Sequence, residues 1–594
     1  MQAMQDNSPD ENVSWLERPF RSVVDINWET VLYTIIIVLA IVSRIYAVGE
    51  RAVSHDEVSH VYFSWRLYQG EGYQHDPVTH GPLQFHLIAL SYFLLDDSDF
   101  SARIPAALFS IATVAFMWFY RRYLGRAGAL IAAILLLISP FLLYYGRYAR
   151  NEAFVALFGV ITLWSILRYL ETGAPKNMLV LTAVTALHFT TKETAFIYTA
   201  QALLFLGLYF LLRIFQKQWP KPEYRNRFLG TLIIGGLLLA DAVGFMLLGQ
   251  DQAALSAVET AQPAIPGEEA APSAVGFSLS PGIIAGALGV VFLLVCLYFL
   301  VRGYSIELIR AERSFDLLII LGTMVLPMAA PFPVKFFGGD PIDYSAGGMV
   351  NTGIFLIPLA IITIIIGLWW NPRLWLINAA LFYGIFTVLY TTFFTNGQGF
   401  FTGLVGSLGY WLEQQGVQRG DQPWYYYFFV QIPIYEFLPA LAMLLALYLG
   451  LRYPIDKTTA QNRAEGTEKE GEAGSTDDVN RESQTARAEY PPTKGTRLAL
   501  TLISFWVITS LVAYAYAGEK MPWLTVHIAW PMILLAGWAL GRLIETTDWK
   551  FFQKQRGLLV VTLILIFMLS LAAVLGTCLL YTSPSPRDLL SHLV

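Results

Sequence analysis

Long apolar stretches, separated by short polar ones, recur along almost the whole chain. A membrane-spanning helix needs about 20 predominantly apolar residues, within a working range of about 17–25. Because windows of this kind follow one another so regularly, the pattern predicts an all-α polytopic membrane protein, a bundle of about 13–15 transmembrane helices. The predicted spans are 31–48, 103–120, 127–143, 151–170, 194–214, 229–249, 281–302, 315–333, 352–370, 374–394, 434–451, 497–517, 522–542, 557–576 and the shorter 178–191.

The composition supports the membrane class. Of the 594 residues, 55% are hydrophobic and 14% are charged, whereas a soluble domain has about 25% charged residues. The formal net charge of −5 argues against a nucleic-acid partner. The two cysteines, Cys296 and Cys578, cannot build a disulfide framework or a cysteine metal site.

Lysine and arginine indicate which loops face the cytoplasm. The stretch 82–95 is short, which suits an interfacial helix better than a span. If 82–95 stays outside and the N-terminus is cytoplasmic, positive charges gather in the cytoplasmic loops; if it crosses, every later loop changes side and the pattern inverts. We therefore expect interfacial helices in the first outer loop, 49–102. The cytoplasmic positive charges are then Arg121, Arg122, Arg126, Lys217, Lys221, Arg225, Arg227, Arg302, Arg310, Arg313, Arg373, Lys550, Lys554 and Arg556.

The remaining segments define the domain organisation. Residues 1–28 form a cytoplasmic tail without the apolar core of a signal peptide, so we expect the first span to be retained. The transmembrane catalytic core covers 29–452, and 497–577 adds C-terminal transmembrane helices. Between them, 453–496 is a charged tract too polar to build a core, and it is predicted to be a disordered cytoplasmic linker. Residues 578–594 read like the translation of a sequencing adapter, so the native frame is expected to end just before them. The alternative is a short disordered tail, which the Ser-Pro repeats would also permit.

With this topology, unusual polar groups gather at the outer ends of the spans. They include the residue types that transfer of a sugar from a lipid phosphate requires. A carboxylate takes the proton of the acceptor hydroxyl while its oxygen attacks C1, and arginine or lysine neutralises the charge that develops on the departing phosphate. The polar groups lie at Ser54–Glu57, His75–Pro82, Tyr144–Glu152, Lys192–Thr194, Trp424–Tyr427, Tyr435–Glu436, Gly518–Trp523 and His527.

Histidines are concentrated in the first outer loop, which holds five of the eight. Asp56 and His60 are four residues apart, so they share a helix face and are candidate ligands for a divalent metal such as Mg²⁺ or Mn²⁺. The alternative is that these histidines only form hydrogen bonds. The residues alone establish no cofactor.

Structural explanations exist for the same residues. Asp56 and Glu57 could cap the helix that follows them, because acidic residues are favoured near helix N-termini. Arg147 and Arg150 could be interfacial anchors whose charged ends reach the water. A lone Asp-Glu pair does not separate the two interpretations, but the ordered set of outer-loop residues favours a site.

The order of Asp56-Glu57 in the first outer loop, Arg150-Asn151-Glu152 at a later span start and then Lys192 resembles the GT-C glycosyltransferases. This superfamily of multi-span enzymes includes the protein O-mannosyltransferases and the aminoarabinose transferases of lipid A. A closer likeness, over roughly 29–577, is to the Agl23-type flippase-activity-associated proteins of archaea and bacteria. That likeness lies in His80-Gly81-Pro82, Lys192-Glu193-Thr194, the run Trp424–Tyr427 with Glu436, and Gly518–Trp523.

The resemblance implies an inverting enzyme that uses a polyprenyl-phosphate-linked sugar. Asp56 would be the catalytic base with Glu57 in support. Glu152, also a catalytic candidate, would correspond to the second acidic residue of the family and would bind the acceptor or a metal. Two departures concern the donor, because Ser59 and His80-Gly81 stand where the aminoarabinose transferases have an arginine and a lysine. The implied candidates are Lys192, Arg147, Arg150, Lys520 and His527 for the donor phosphate, and His80, Tyr148 and Glu436 for substrate.

The predicted function is glycosyl transfer from a lipid-linked donor to an acceptor at the outer face of the plasma membrane. The sequence does not define the acceptor, which could be a protein, a lipid or a glycan. Two alternatives stay open, a transporter or flippase for lipid-linked sugars and a non-catalytic subunit of an assembly. Charges concentrated at one face favour the transferase, since a flippase is expected to carry charges near the midplane or a repeated architecture.

Overall fold

The computed structural model describes residues 27–259, 281–414, 422–452, 494–518, 520–557 and 559–570, without 565 and 568. Every regular element in those residues is a helix and none is a strand, which confirms the predicted all-α class. The tail up to residue 26, the linker residues 453–493 and the terminal 578–594 lie outside the described part. Residues 494–496, predicted as the end of the linker, already belong to the helix Lys494–Tyr516.

Helices of very different length, from four to 38 residues, make up the described chain. The α-helices are α1 (Trp28–Ile45), α2 (His55–Tyr68), α3 (Leu83–Leu95), α4 (Asp99–Phe116), α5 (Arg121–Leu124), α6 (Arg126–Ile138), α7 (Pro140–Tyr145), α8 (Glu152–Thr172), α9 (Pro175–Phe189), α10 (Thr194–Gln216), α11 (Pro222–Glu259), α12 (Pro281–Tyr304), α13 (Ile306–Arg310), α14 (Arg313–Val325), α15 (Pro331–Phe336), α16 (Ala346–Trp370), α17 (Pro372–Tyr390), α18 (Gln398–Phe401), α19 (Ser407–Gln414), α20 (Ile432–Tyr435), α21 (Phe437–Arg452), α22 (Lys494–Tyr516), α23 (Thr525–Thr546) and α24 (Trp549–Lys554). Short 3₁₀ turns cover Pro77–Thr79, Met117–Tyr120, Leu326–Ala329 and Pro522–Leu524, and π-turns cover Thr402–Gly406 and Tyr426–Gln431.

Within the described residues, nine helices are long and apolar enough to cross a membrane. A tenth is added if Tyr426–Tyr435 and Phe437–Gly450, bent by 109° at their junction, form one broken span. The protein is therefore a polytopic membrane protein, as predicted. The described residues give fewer spans than the number predicted for the whole chain. Some apolar windows fold into shorter helices, among them the 13-residue α6 and the 15-residue α9, and the predicted span 557–576 is described only in part. Helix α3 also has 13 residues, fewer than a span needs, which agrees with an interfacial position.

The chain divides into two compact units, Met1–Ala202 with Ile320–Val594, and Leu203–Ile319. In the larger unit α23 is the central helix, buried along nearly its whole length and packed against α6, α8, α21 and α22. Glycines allow its closest approach: a Cβ at Gly541 would lie 2.3 Å from the backbone nitrogen of Gly128, and one at Gly537 would lie 2.7 Å from the Gly128 carbonyl oxygen. Small residues of this kind are typical of helix contacts in membranes.

The smaller unit is built on the packing of α11 against α12. Glu312 is buried there and pairs with Arg213 at 3.5 Å and with Lys217. The core of this unit consists of Phe210, Ile214, Trp219, Phe228, Cys296, Leu300, Tyr304 and Ile309. All the predicted site residues lie in the larger unit.

Candidate functional site

The start of α2 sends its two neighbouring carboxylates in different directions. Successive residues of an α-helix are rotated by about 100° around its axis, so one can face outward while the next faces the core. The side chain of Asp56 is 44% exposed, whereas that of Glu57 is completely buried. Of the two, only Asp56 is accessible to a ligand from outside.

Glu57 is the centre of a buried hydrogen-bond network. Arg103, from α4, donates from Nε to Oε1 at 2.8 Å and from Nη2 to Oε2 at 2.7 Å. The backbone amides of Ala149 and Ser54 donate at 2.9 and 3.1 Å, and Arg51 donates at 3.3 Å. Burial acts to raise the pKa of Glu57, but the bonds from Arg103 and the two amides outweigh it and hold the pKa below its usual value. Glu57 is thus an anchor that fastens the start of α2 to α4 and to the α7–α8 connection.

A continuous line of alternating charges runs inward from Asp56. Oδ2 of Asp56 lies 3.8 Å from Nη1 of Arg150, and Nε of Arg150 lies 3.5 Å from Oε2 of Glu152. Oε1 of Glu152 accepts a hydrogen bond from Nζ of Lys192. The Arg150 guanidinium also lies over the ring of Trp523, 3.8 Å from its centroid, a favourable cation–π geometry. Four of the residues predicted from the sequence are therefore in direct contact.

The turn that carries Lys192 is held by the segment around Gly81. The amide of Gly81 donates to the carbonyl of Thr191 at 3.1 Å, and the amide of Leu83 donates to that of Thr190 at 2.8 Å. A Cβ on Gly81 would lie 2.4 Å from the carbonyl carbon of Thr190, closer than any real contact. Gly81 is therefore required by close backbone packing.

His80, the other predicted residue of that segment, contacts Glu193. Nδ1 of His80 and Oε2 of Glu193 lie 2.6 Å apart, and His80 has a positive φ of 69°, which is uncommon for a residue other than glycine. Burial acts to raise the pKa of Glu193, but the charge of His80 and its hydrogen bond lower the pKa below its usual value. This contact links the first outer loop to the turn that carries Lys192.

His60 lies next to the same cluster. It is buried, its Nδ1 has no hydrogen-bond partner, and its ring centroid lies 6.3 Å from that of His80. Burial, together with the positive charge of Arg150, holds the pKa of His60 well below its usual value.

In the described part of the chain no three His, Cys, Asp or Glu residues come together as metal ligands. Asp56 and His60 alone fit a metal poorly, because one carboxylate and one buried imidazole leave most of a coordination shell to other molecules. The metal stays a prediction to which we assign no catalytic step.

Arg147 and Tyr148 bind to neighbouring segments of the protein. Arg147, predicted for the donor phosphate, donates from Nη1 to the carbonyl of Ser43 at 2.6 Å. The hydroxyl of Tyr148, predicted for substrate, forms a short hydrogen bond with Oγ of Ser54. Both contacts fix the α7–α8 connection against α1 and the start of α2.

Lys520 and His527 come from the C-terminal helices. Nζ of Lys520 donates to the carbonyl of Ala517 at 3.0 Å, within its own turn. His527 is completely buried, its Nδ1 lies 3.0 Å from the hydroxyl of Tyr198, and its Nε2 has no partner. Its ring is close enough to Glu152 and Lys192 for their charges to act on it. His527 therefore lies behind the charged line, away from the surface.

Glu436 lies at the bend between α20 and α21. Its Oε1 accepts hydrogen bonds from Oγ of Ser139, at 2.5 Å, and from the amide of Phe141, at 3.3 Å. The residue is 1% exposed, and its Oε2 is buried without a partner. Its role in binding substrate stays a prediction.

Two important residues were not predicted. Arg103, which neutralises Glu57, lies at the start of the predicted span 103–120, and an ionisable residue in a span is a functional candidate by default. That signal was present in the sequence. Trp523 was part of a predicted motif, but its position over Arg150 depends on the packing of distant helices and has no local sequence signal.

This geometry defines what the site can do. Asp56 offers an accessible carboxylate beside the guanidinium of Arg150, and the buried pair of Glu152 and Lys192 lies directly behind. An accessible carboxylate can accept a proton from a hydroxyl, and an arginine beside it can bind an anionic leaving group. The described residues are thus all-helical, and the carboxylates and cations of the predicted site meet near the ends of their helices.

Comparison with known proteins agrees with the resemblance to GT-C glycosyltransferases. The family model described as dolichyl-phosphate-mannose-protein mannosyltransferase matches residues 79–224, a segment that contains Arg150, Glu152 and Lys192 but not Asp56. This match confirms the predicted resemblance and supports a membrane glycosyltransferase in general terms. No curated protein matches the chain.

Several solved structures are similar to the chain. The oligosaccharyltransferase of Archaeoglobus fulgidus, in its apo form, is 14% identical with a TM-score of 0.42, and the alignment covers 95% of this chain and 55% of that one. ArnT from Cupriavidus metallidurans, bound to undecaprenyl phosphate, is 13% identical with a TM-score of 0.26, and the alignment covers 87% of this chain and 78% of that one. The chain therefore spans about half the length of the archaeal enzyme.

Proposed function

We propose that this protein is an inverting glycosyltransferase that moves a sugar from a polyprenyl phosphate to an acceptor hydroxyl on the extracytoplasmic face of the plasma membrane. The observation that carries the proposal is the line of charges from the exposed Asp56 through Arg150 to the buried pair of Glu152 and Lys192. The mannosyltransferase family match over residues 79–224 supports it.

In this mechanism Asp56 is the catalytic base. Its carboxylate accepts the proton of the acceptor hydroxyl while the hydroxyl oxygen forms a bond to C1 of the sugar. The bond between C1 and the phosphate oxygen breaks, and the electron pair leaves with the polyprenyl phosphate. Because the nucleophile enters opposite the leaving group, the anomeric centre is inverted.

The cations stabilise the leaving group. Arg150 lies beside Asp56 and can donate to phosphate oxygens on which charge develops in the transition state. Glu152 and Lys192 neutralise each other in the buried part of the line and hold Arg150 in place. Glu57 is assigned no proton transfer in this mechanism, because its oxygens are occupied by Arg103, Arg51 and two backbone amides.

The test is release of free polyprenyl phosphate from purified protein in lipid, with a panel of radiolabelled polyprenyl-phosphate sugars. We expect Asp56→Asn to lower release by at least about 100-fold, because loss of a general base costs about 10²–10⁴-fold in rate. Asp99→Asn is the matched control, since it makes the same change in the first turn of another helix of the outer loop. Wild-type turnover in Asp56→Asn would contradict the assignment of the base.

A transporter or flippase for lipid-linked sugars is the second candidate. It is favoured by the 109° bend between Tyr426–Tyr435 and Phe437–Gly450, because discontinuous spans often form transport sites. Binding of a polyprenyl-phosphate sugar without release of lipid phosphate, in the presence of every acceptor tested, would support transport over transfer.

A further inference from the structure

A break between α6 and α7 interrupts the predicted span 127–143. Helix α6 ends at Ile138, α7 begins at Pro140, and Ser139 between them has left the helical conformation with ψ at 123°. Pro140 has no N–H and therefore cannot continue the hydrogen-bond ladder of α6. The backbone groups at the break need other partners, because unpaired ones are costly to bury.

Arg44 supplies the partners for the end of α6. It is fully buried in α1, and its Nη2 and Nη1 donate to the carbonyls of Leu136 and Leu137 at 2.9 and 2.8 Å. In an unbroken helix these carbonyls would accept from residues 140 and 141. Residue 140 is a proline, and the amide of Phe141 is used elsewhere. Arg44 thus satisfies the two carbonyls that lose their helical donors at the break.

Glu436 supplies the partners for the start of α7. Its Oε1 accepts from the amide of Phe141 and from Oγ of Ser139, and that same Oγ accepts from the amide of Leu142 at 3.3 Å. A guanidinium group therefore lies at the C-terminal end of α6 and a carboxyl group at the N-terminal end of α7, one on each side of the break. Glu436 itself stands where α20 bends into α21, so two broken helices meet at one carboxylate.

The segment held at this point leads directly to the candidate site. Helix α7 ends at Tyr145, five residues before Arg150. The same segment is held again by Arg147 on Ser43 and by the amide of Ala149 on Glu57. Of these contacts, only the hydrogen bonds of Glu436 come from the bent pair α20–α21. They fix the end of the segment opposite to Glu57.

From these contacts we infer that Glu436 is a positioning residue, which ties the bent helix pair to the α7–α8 connection and thereby sets the place of Arg150. It acts through its hydrogen bonds to Ser139 and Phe141 and does not bind the substrate directly. This inference rests on the proposed function only for its effect on catalysis. The structural part, the fixed start of α7, holds whatever the protein binds.

Hydrogen–deuterium exchange of the full-length protein in lipid, without substrate, tests the structural part. Glu436→Ala removes both hydrogen bonds, so the amides of residues 141–145 are expected to exchange about tenfold faster or more, because the start of α7 opens more often without them. Glu436→Gln keeps an acceptor oxygen in the same place and should exchange within about twofold of wild type. Ser139→Ala removes one of the two bonds to Glu436 and also the acceptor of the Leu142 amide, so exchange should rise at residue 142 while the amide of Phe141 keeps its bond to Glu436. Unchanged exchange in Glu436→Ala would overturn the inference.

Sugar transfer by the same variants tests the catalytic part. If Glu436 positions Arg150, Glu436→Ala should raise the donor KM together with exchange, and Glu436→Gln should restore both. Normal exchange in Glu436→Gln together with lost transfer would overturn the inference, because it would mean direct contact with substrate. Glu312→Gln, at a buried carboxylate of the smaller unit, is the control for loss of a buried charge. If wild type shows no transfer, the proposed function fails, and the exchange result still decides the structural part.

Discussion

At the scale of single residues, Asp56 and Glu57 show how neighbours acquire different roles. They have nearly the same chemistry, but one is 44% exposed and the other has its two oxygens filled by an arginine pair and backbone amides. The capping interpretation describes Glu57 in part, because it accepts from the amide of Ser54.

His75 gives a residue-scale prediction about pH. Its Nδ1 lies 2.9 Å from Oγ1 of Thr402, its Nε2 is buried without a partner, and burial lowers its pKa to about 4. In the unfolded chain a histidine has a pKa of about 6.5. Between these values the unfolded chain takes up a proton that the folded protein does not, so the free energy of unfolding falls as the pH drops from about 6.5 to about 4.

We expect His75→Gln to remove this part of the acid sensitivity. The measurement is the unfolding midpoint of wild type and variant in the same lipid or detergent, from pH 7 to pH 4.5. The wild-type midpoint should fall more steeply than that of the variant. In free energy of unfolding, the difference between the two slopes should approach about 1.4 kcal/mol per pH unit. Parallel curves would show that His75 is not responsible.

At the scale of elements, the turn between α9 and α10 depends on its packing against Gly81. We predict that Gly81→Ala destabilises the protein by about 1–3 kcal/mol, as overpacking of a tight contact does, because the new Cβ would meet the backbone of Thr190 at 2.4 Å. The turn carries Lys192, so sugar transfer should fall as well. Both are measured on protein in lipid, as the unfolding midpoint and the release of lipid phosphate.

Gly353→Ala is the matched control for this element. Gly353 lies within α16, and a Cβ there would have no atom within 4 Å, so alanine should leave stability unchanged or raise it by up to about 1 kcal/mol through its helix propensity. Equal effects of the two substitutions would show that the contact of Gly81 with the turn is not required.

The two broken helices show where prediction from hydropathy alone fails. The apolar window 127–143 satisfies the length rule, yet Pro140 divides it, and the proline was a visible signal for the break. At the second bend, Pro433 and Pro439 lie three residues before and after Glu436, but neither identifies Glu436 as the residue where the helix bends. Buried polar side chains such as Arg44 stabilise these breaks, and such partners come from parts of the chain that no local pattern connects.

For the whole molecule, the composition and the regular recurrence of long apolar stretches were sufficient to predict an all-helical membrane protein. In lipid, an apolar chain can satisfy its backbone hydrogen bonds in few structures other than helices. The order of the charged residues was sufficient to predict that Asp56, Arg150, Glu152 and Lys192 belong together, and they are in contact. The anchoring role of Glu57 depends on tertiary packing that only the structure reveals. The packing of Trp523 on Arg150 depends on it equally.

The sidedness of the molecule is the prediction with the widest consequence. If α3 stays at the outer surface, Gln74 before it and Gly397 after it lie on the same side, outside the cell, and Glu223 lies in the cytoplasm. If α3 crosses, Gln74 and Gly397 are on opposite sides. All three residues are outside the described spans, Gln74 and Glu223 are exposed, and a Cβ at Gly397 has free space.

Single cysteines at these positions, in a chain whose Cys296 and Cys578 are replaced by serine, can be labelled on intact cells with a membrane-impermeant maleimide. We expect Gln74→Cys and Gly397→Cys to react and Glu223→Cys to react only after the membrane is opened. Labelling of Gln74→Cys but not Gly397→Cys would mean that α3 spans the membrane, and it would place the turn of Lys192 on the side opposite to Asp56. Because these two residues are joined through Arg150 and Glu152 in one line, that result would contradict the site itself and not only the topology.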